Sequence, residues 1–174
     1  MSRLTVPAGW TVVAHPLFVD QLEELVASVA ALKAKSPNSY RQKNATKRLT
    51  AIVKLAFDEI PNDPTLPVYR QGDTLGDEYK HWFRAKFFQQ YRLFFRYHLS
   101  ARVIVIAWVN DEGTKRAYGS KTDAYRAFRK MLNDGCPPNT WDDLVAQAKV
   151  GTKRMGEVLK AVKAVVPGGG PATE

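Results

Sequence analysis

Phe18, Leu22, Leu25, Val26, Val29 and Leu32 recur at helical spacing, which predicts an amphipathic helix over 17–35. Ser36-Pro37-Asn38 interrupts it. Ala45, Leu49, Ile52, Val53, Ala56, Phe57 and Ile60 then mark a second helix over 39–60, stopped by Pro61. The short break between the two predicts an antiparallel helix hairpin. Residues 61–79 carry three prolines and two glycines and read as loop. The period then changes. Trp82–Phe88, Tyr91–Tyr97 and Arg102–Asn110 are rich in aromatic and β-branched residues, and the short gaps between them predict an antiparallel meander. A further helix reads over 122–133, with Ala124, Phe128, Met131 and Leu132 inward and Gly135 just past its end. Thr140, with Asp143 three residues on, resembles an acidic capping box and opens a last helix. Its stripe of Met155, Val158, Leu159, Val162 and Val165–Val166 is expected to pack into a core. Residues 1–16 read as an irregular or strand-like lead-in, and "VVPGGGPATE" from 165 as a disordered tail.

Two helices, three strands and then helices imply an α+β fold: an N-terminal helix hairpin packed on a small antiparallel β-sheet, with C-terminal helices. The domain is expected over 1–150, with 151–174 a helical extension and tail. Helices on one face of the sheet leave the other for solvent or a ligand.

Charge changes this picture. The net charge is +9 over 174 residues. Between Lys80 and Lys130 there are 12 Lys/Arg and 3 Asp/Glu, so the whole excess sits in that segment and the rest of the chain balances. A localised basic region is the footprint of a polyanionic partner. Alternation along the strands places Arg84 and Lys86 on one side of the first, opposite Phe83, Ala85 and Phe87. In the second strand Arg92, Phe94 and Arg96 alternate with Tyr91, Leu93, Phe95 and Tyr97. Four cations on one sheet face repel one another unless an anion sits among them. Single-stranded RNA suits such a face, with cations on phosphate and the rings of Phe88 and Phe94 stacking on bases. The competing reading is that each arginine is an ordinary solvated strand residue.

The stretch "NDEGTKRAYGSKTDAY", 110–125, adds Asp111, Glu112, Lys115, Arg116, Tyr118, Lys121, Asp123 and Tyr125. RNA cleavage without metal needs a base, an acid and cations for the developing charge, and these residue types can supply all three. His15, His81 and His98 are scattered and lack metal-ligand spacing. His81 and His98 flank neighbouring strands, where a pair of them would be a conventional acid–base couple. No phosphate-binding glycine loop, nucleophile elbow or zinc-protease motif is present. One cysteine, Cys136, allows no internal disulfide, and the N-terminal stretch lacks a signal-peptide core, so a cytoplasmic location is expected.

"GWTVVAHPLF", "WFRAKF", "YRLFFRY", "WVNDEGTKRAYGSKTDAY" and "KMLNDGCPP", in this order over about 9–145, resemble the YhaV family of type II toxins within the RelE-like group. The resemblance implies a small RelE-like ribonuclease domain that cuts mRNA in association with ribosomes and needs no cofactor. It implies a PrlF-type (AbrB-like) antitoxin as partner, with operator DNA bound only through the antitoxin complex, and no membrane. Arg84 and Lys86 fit the paired cations of the group's active sheet, and Arg92 the arginine of the middle strand. Arg116 with Tyr118 or Tyr125 fits the late arginine and tyrosine. The expected catalytic set is therefore Arg84, Lys86, Arg92, Glu112, Arg116, Tyr118 and Tyr125. Arg96, Lys115, Lys121, Phe88 and Phe94 are expected to bind RNA. A non-catalytic RNA- or ribosome-binding module, and a component of an operator-binding repressor complex, remain as alternatives.

Overall fold

The computed structural model describes residues 4–5, 8–117, 120 and 123–166. The expectations for Tyr118, Lys121 and the tail beyond 166 lie outside the described residues. Helix α1 spans Pro16–Lys35. The His15 ring nitrogen Nδ1 caps it by accepting the Leu17 N–H at 3.1 Å, and Pro16 supplies a first helical residue that needs no donor. Phe18, Val19, Leu22, Val26 and Val29 form its buried stripe. Ser36 ends it just ahead of Pro37, because proline disfavours helical backbone in the residue before it.

The second predicted helix begins later and is less regular than expected. Tyr40–Gln42 forms a separate 3-10 turn, and α2 spans Asn44–Lys54. It widens into a π-helical stretch, Leu55–Glu59, and closes with a short α3, Ile60–Asn62. Pro61 has no N–H for the Phe57 carbonyl and its ring crowds that carbonyl, so the helix opens there rather than breaking.

Among the described residues, five strands form one sheet in the order β1-β2-β5-β4-β3. They are β1 (Leu4–Thr5), β2 (Thr11–Ala14), β3 (Phe83–Phe87), β4 (Tyr91–His98) and β5 (Val103–Val109). The predicted meander is present as β3-β4-β5, antiparallel throughout. The lead-in adds β2, which runs parallel to β5, so the sheet is mixed rather than wholly antiparallel.

The expectation of one open sheet face does not hold. On the first face Val12, Ala14, Leu93, Phe95, Ile104 and Ile106 pack under α1, α2 and the last turns of the C-terminal helix. Gln21 of α1 fastens this side, exchanging two hydrogen bonds with the Val109 backbone at 2.6 and 3.1 Å. On the second face Val13, Phe94, Val105, Ala107 and Trp108 would be an exposed apolar surface, and they are covered too. Helix α4, Ala124–Asn133, lays Tyr125, Phe128 and Leu132 over them, joined by Leu144 and Ala148 from the start of α5.

Helix α5 spans Trp141–Val165 and serves both faces. The Thr140 hydroxyl bonds the Asp143 carboxylate at 2.7 Å instead of capping a backbone N–H. Met155, Val158, Val162 and Val165 join the first core, as their stripe predicts. Between these halves α5 passes the end of β2. A Cβ on Gly151 would lie 2.3 Å from the Ala14 carbonyl oxygen, and the Thr152 hydroxyl accepts the Ala14 N–H at 2.9 Å. Gly151→Ala should therefore lower the melting temperature by roughly 3–10 °C, an overpacking effect readable by calorimetry. No helix of the described residues is long and apolar enough to cross a membrane.

Candidate active site

Strand register builds the site's floor. Lys86 lies opposite Arg92, and Arg84 opposite Phe94, so these four residues share the face that α4 covers. The segment after β5 is pinned across the start of β4 by Asn110, which is fully buried. Its amide oxygen accepts the Arg92 N–H, and its NH₂ donates to the Gln90 and Thr114 carbonyls, both at 2.9 Å. The Arg116 N–H donates to the Gln90 carbonyl at 2.9 Å. That brings Arg116 to the same place.

Tyr125 comes from the first turn of α4. Asp123 sets it there as the helix N-cap, accepting the Tyr125 N–H at 3.0 Å. The same carboxylate accepts from the Arg116 guanidinium at 2.6 Å and from the Ala117 N–H at 2.7 Å. Burial works to raise the Asp123 pKa, but the Arg116 bond, its charge and the backbone N–H groups outweigh burial and hold it below the ordinary carboxylate value.

The Tyr125 hydroxyl oxygen accepts from Arg84 Nε at 3.0 Å and from Arg92 Nε at 3.2 Å. The Arg116 guanidinium lies 4.7 Å from the centre of its ring. Arg84 and Arg92 are each 7% exposed and Tyr125 5%. Arg84 Nη1 donates to the Val68 carbonyl at 2.7 Å, and Arg92 Nη1 to the Gln89 and Tyr91 carbonyls at 2.7 and 2.9 Å. Among the described residues, three guanidiniums thus converge on one phenol, with the Asp123 carboxylate beside them. The cluster carries excess positive charge, and the partners of two of its cations are neutral carbonyls that an anionic oxygen can replace. Both contacts to the phenol oxygen are donors, and no acceptor for the phenolic proton is found among the described residues. The group can therefore give a proton to an oxygen brought between the arginines.

Arg84, Arg92, Arg116 and Tyr125 are thus assembled as one cluster, with Lys86 exposed beside them. Glu112 is not. It accepts from Tyr91, at 2.6 Å, and from Asn44, and pairs with Lys115 at 2.9 Å, with Arg48 further off at 3.9 Å. Tyr91 belongs to the α1–α2 side of the sheet, so Glu112 sits on the other side of β4 from Tyr125. The Tyr91 and Lys115 hydrogen bonds hold its carboxyl below the ordinary value, which weakens it as a base. Lys115 is occupied by the same carboxylate, which raises its pKa.

Phe94 is no stacking platform. It is fully buried, 4.2 Å centre to centre from the Phe128 ring, because the face it occupies is covered by α4. Phe88, at the β3–β4 turn, is 50% exposed. Arg96 is on the arginine face but closed in a cage. Its guanidinium lies 5.4 Å from the rings of both Trp82 and Trp141 and donates to the Asn139 carbonyl at 2.7 Å. Burial lowers its pKa to about 10. These contacts tie β4 to the start of α5. His81 and His98 form no couple: the first hydrogen-bonds the Asn139 side chain at 2.7 Å, and the second accepts the Ala101 N–H at 3.1 Å.

Sequence reasoning passed over Asn110 and the Val68 carbonyl, and gave Asp123 no role. Asp123 does carry a signal, an Asp directly ahead of a helical pattern in "TDAY". The buried amide of Asn110 and a loop carbonyl carry none.

A family model described as "Toxin with endonuclease activity, of toxin-antitoxin system" matches residues 12–149. "Toxin YhaV" of Escherichia coli O6:H1 is 46% identical over 143 residues, covering 81% of this chain and 93% of the relative. "Ribonuclease toxin YhaV" of Escherichia coli K12 is 45% identical over 143 residues with the same coverage. No solved structure matches the chain.

Proposed function

Because the chain belongs to the YhaV family of toxins with endonuclease activity in toxin–antitoxin systems, we propose that it is an endoribonuclease that cuts mRNA without a metal ion. The observation that carries this reading is the Tyr125 hydroxyl held between Arg84 Nε and Arg92 Nε. In the proposed reaction the RNA 2′-hydroxyl attacks the adjacent phosphorus, its proton passing to solvent water, and the bond to the 5′-oxygen breaks. A 2′,3′-cyclic phosphate and a 5′-hydroxyl result. Phosphate oxygens take the places of the Val68 and Gln89 carbonyls on the two arginines. Arg84, Arg92 and Arg116, with Lys86 at the rim, stabilise the extra negative charge of the phosphorane. Tyr125 gives its proton to the departing 5′-oxygen, and the phenolate left behind already faces two guanidinium N–H groups. Glu112, held by Tyr91 and Lys115, has no part in this scheme.

The family resemblance further supports an mRNA substrate presented on the ribosome. It supports a PrlF-type antitoxin as the silencing partner, with operator DNA reached through that complex. The test is incubation of purified protein with a defined mRNA, free in EDTA and on ribosomes kept in magnesium, followed by analysis of the fragment ends. Cyclic phosphate and 5′-hydroxyl ends are the expected result. Cutting of free mRNA that stops in EDTA overturns the metal-independent scheme, and binding without cuts, either of free mRNA or on ribosomes kept in magnesium, leaves a basic RNA-binding module.

A further inference from the structure

The β3–β4 connection is costly in a way its packing does not explain. Phe87 pairs with Tyr91, so the turn consists of Phe88, Gln89 and Gln90. Phe88 has φ +44° and Gln89 φ +62°. Such backbone suits glycine or asparagine, and a bulky side chain there is strained. A strained residue that persists in a fold commonly serves a site. The phenylalanine gains little from burial in return: its ring meets Phe87 edge-on at 5.5 Å and is otherwise half open to solvent.

The turn is also part of the arginine cluster. The carbonyl of Gln89, adjacent to Phe88, is one of the two that hold Arg92 Nη1, at 2.7 Å. Lys86, two residues before Phe88, lies opposite Arg92. An aromatic ring half open to solvent, touching one neighbouring ring and one residue from a contact of Arg92, is built to stack. We propose that Phe88 is the platform for a nucleobase of single-stranded RNA next to the scissile phosphate. This rests on the ribonuclease reading above. The strained turn holds the ring out of the core, and stacking there is tolerant of base identity because every base has a π-face.

The test uses a short single-stranded RNA, 2′-O-methylated throughout so that it binds but is not cut, with fluorescence anisotropy for affinity and thermal melting for stability. The proteins are wild type, Phe88→Asn and Phe88→Trp. Asparagine relieves the backbone, so Phe88→Asn should melt no lower than wild type while losing about tenfold or more in RNA affinity. Phe88→Trp, with the larger ring, should bind as wild type does. Undiminished affinity in Phe88→Asn overturns the proposal and leaves the nuclease reading standing. A melting temperature that falls in step with affinity makes the ring a packing partner of Phe87 and also overturns it. Wild type that neither binds nor cuts RNA removes both readings together.

Discussion

Tyr125→Phe should cut RNA at least about 100-fold more slowly than wild type, the scale of a lost general acid. The variant removes one oxygen and its proton. The ring keeps its edge-to-face contact with Phe94, at 5.6 Å between centres, so α4 stays seated. Arg84 and Arg92 keep their bonds to the Val68 and Gln89 carbonyls, while each Nε loses its acceptor. A buried donor left unpaired costs about 1–3 kcal/mol, so the variant should be measurably less stable but folded. Single-turnover cleavage and a urea titration separate the two effects. An RNA substrate whose 5′-oxygen is replaced by sulfur needs no protonation on leaving, so it should recover much of the lost rate. Wild-type rates in Tyr125→Phe on the ordinary substrate would remove Tyr125 from the reaction.

Asp123→Ala should give the largest loss of stability, about 3–5 kcal/mol, the usual cost of removing one partner of a buried ion pair. The carboxylate balances Arg116, caps α4 and holds the Ala117 N–H, so three segments loosen together. The cluster of three guanidiniums then loses the negative charge of Asp123. The effect should depend on pH in a defined direction. The folded Asp123 carboxyl titrates below its unfolded value of about 3.9, so its contribution is fully present above that value. It is lost as pH falls through the lower folded value. The stability gap between wild type and Asp123→Ala should therefore be wide at pH 7 and close in strong acid. Denaturant titrations at pH 7 and pH 3 check this, and a gap that is unchanged would show that the ion pair contributes nothing.

The two-faced character of β3 and β4 was legible because the period of a strand belongs to the backbone. Arg84, Lys86 and Arg92 had to share a side once the segment was extended. What covers that side was not legible. Ala124, Tyr125, Phe128 and Leu132 announce that α4 has an apolar face, but local pattern does not say which sheet face receives it. The same limit explains Phe94, which in sequence shares its side with Arg92 and Arg96 and is covered by its distant partners Trp108 and Phe128. The Arg96 cage joins Trp82 and Trp141, far apart in the chain, and no spacing rule connects them. Glu112 stands close in sequence to Arg116, yet the short turn at 112–114 sends it to Tyr91 and Lys115. The parallel pairing of β2 with β5 is likewise non-local, decided by which edge of the meander lies open.

The path of α5 has a consequence for how the molecule comes apart. Its first turns contribute Leu144 and Ala148 to the core under α4, and its last turns contribute Met155 to Val165 to the core under α1. Tyr40 and Lys33 clasp its final carbonyls at 2.9 Å. One rigid rod thus belongs to both hydrophobic clusters, and the close seat at Gly151 leaves it no slack for shifting one end without the other. Local opening on either side of the sheet is then felt on the far side, so the two clusters behave as a single cooperative unit.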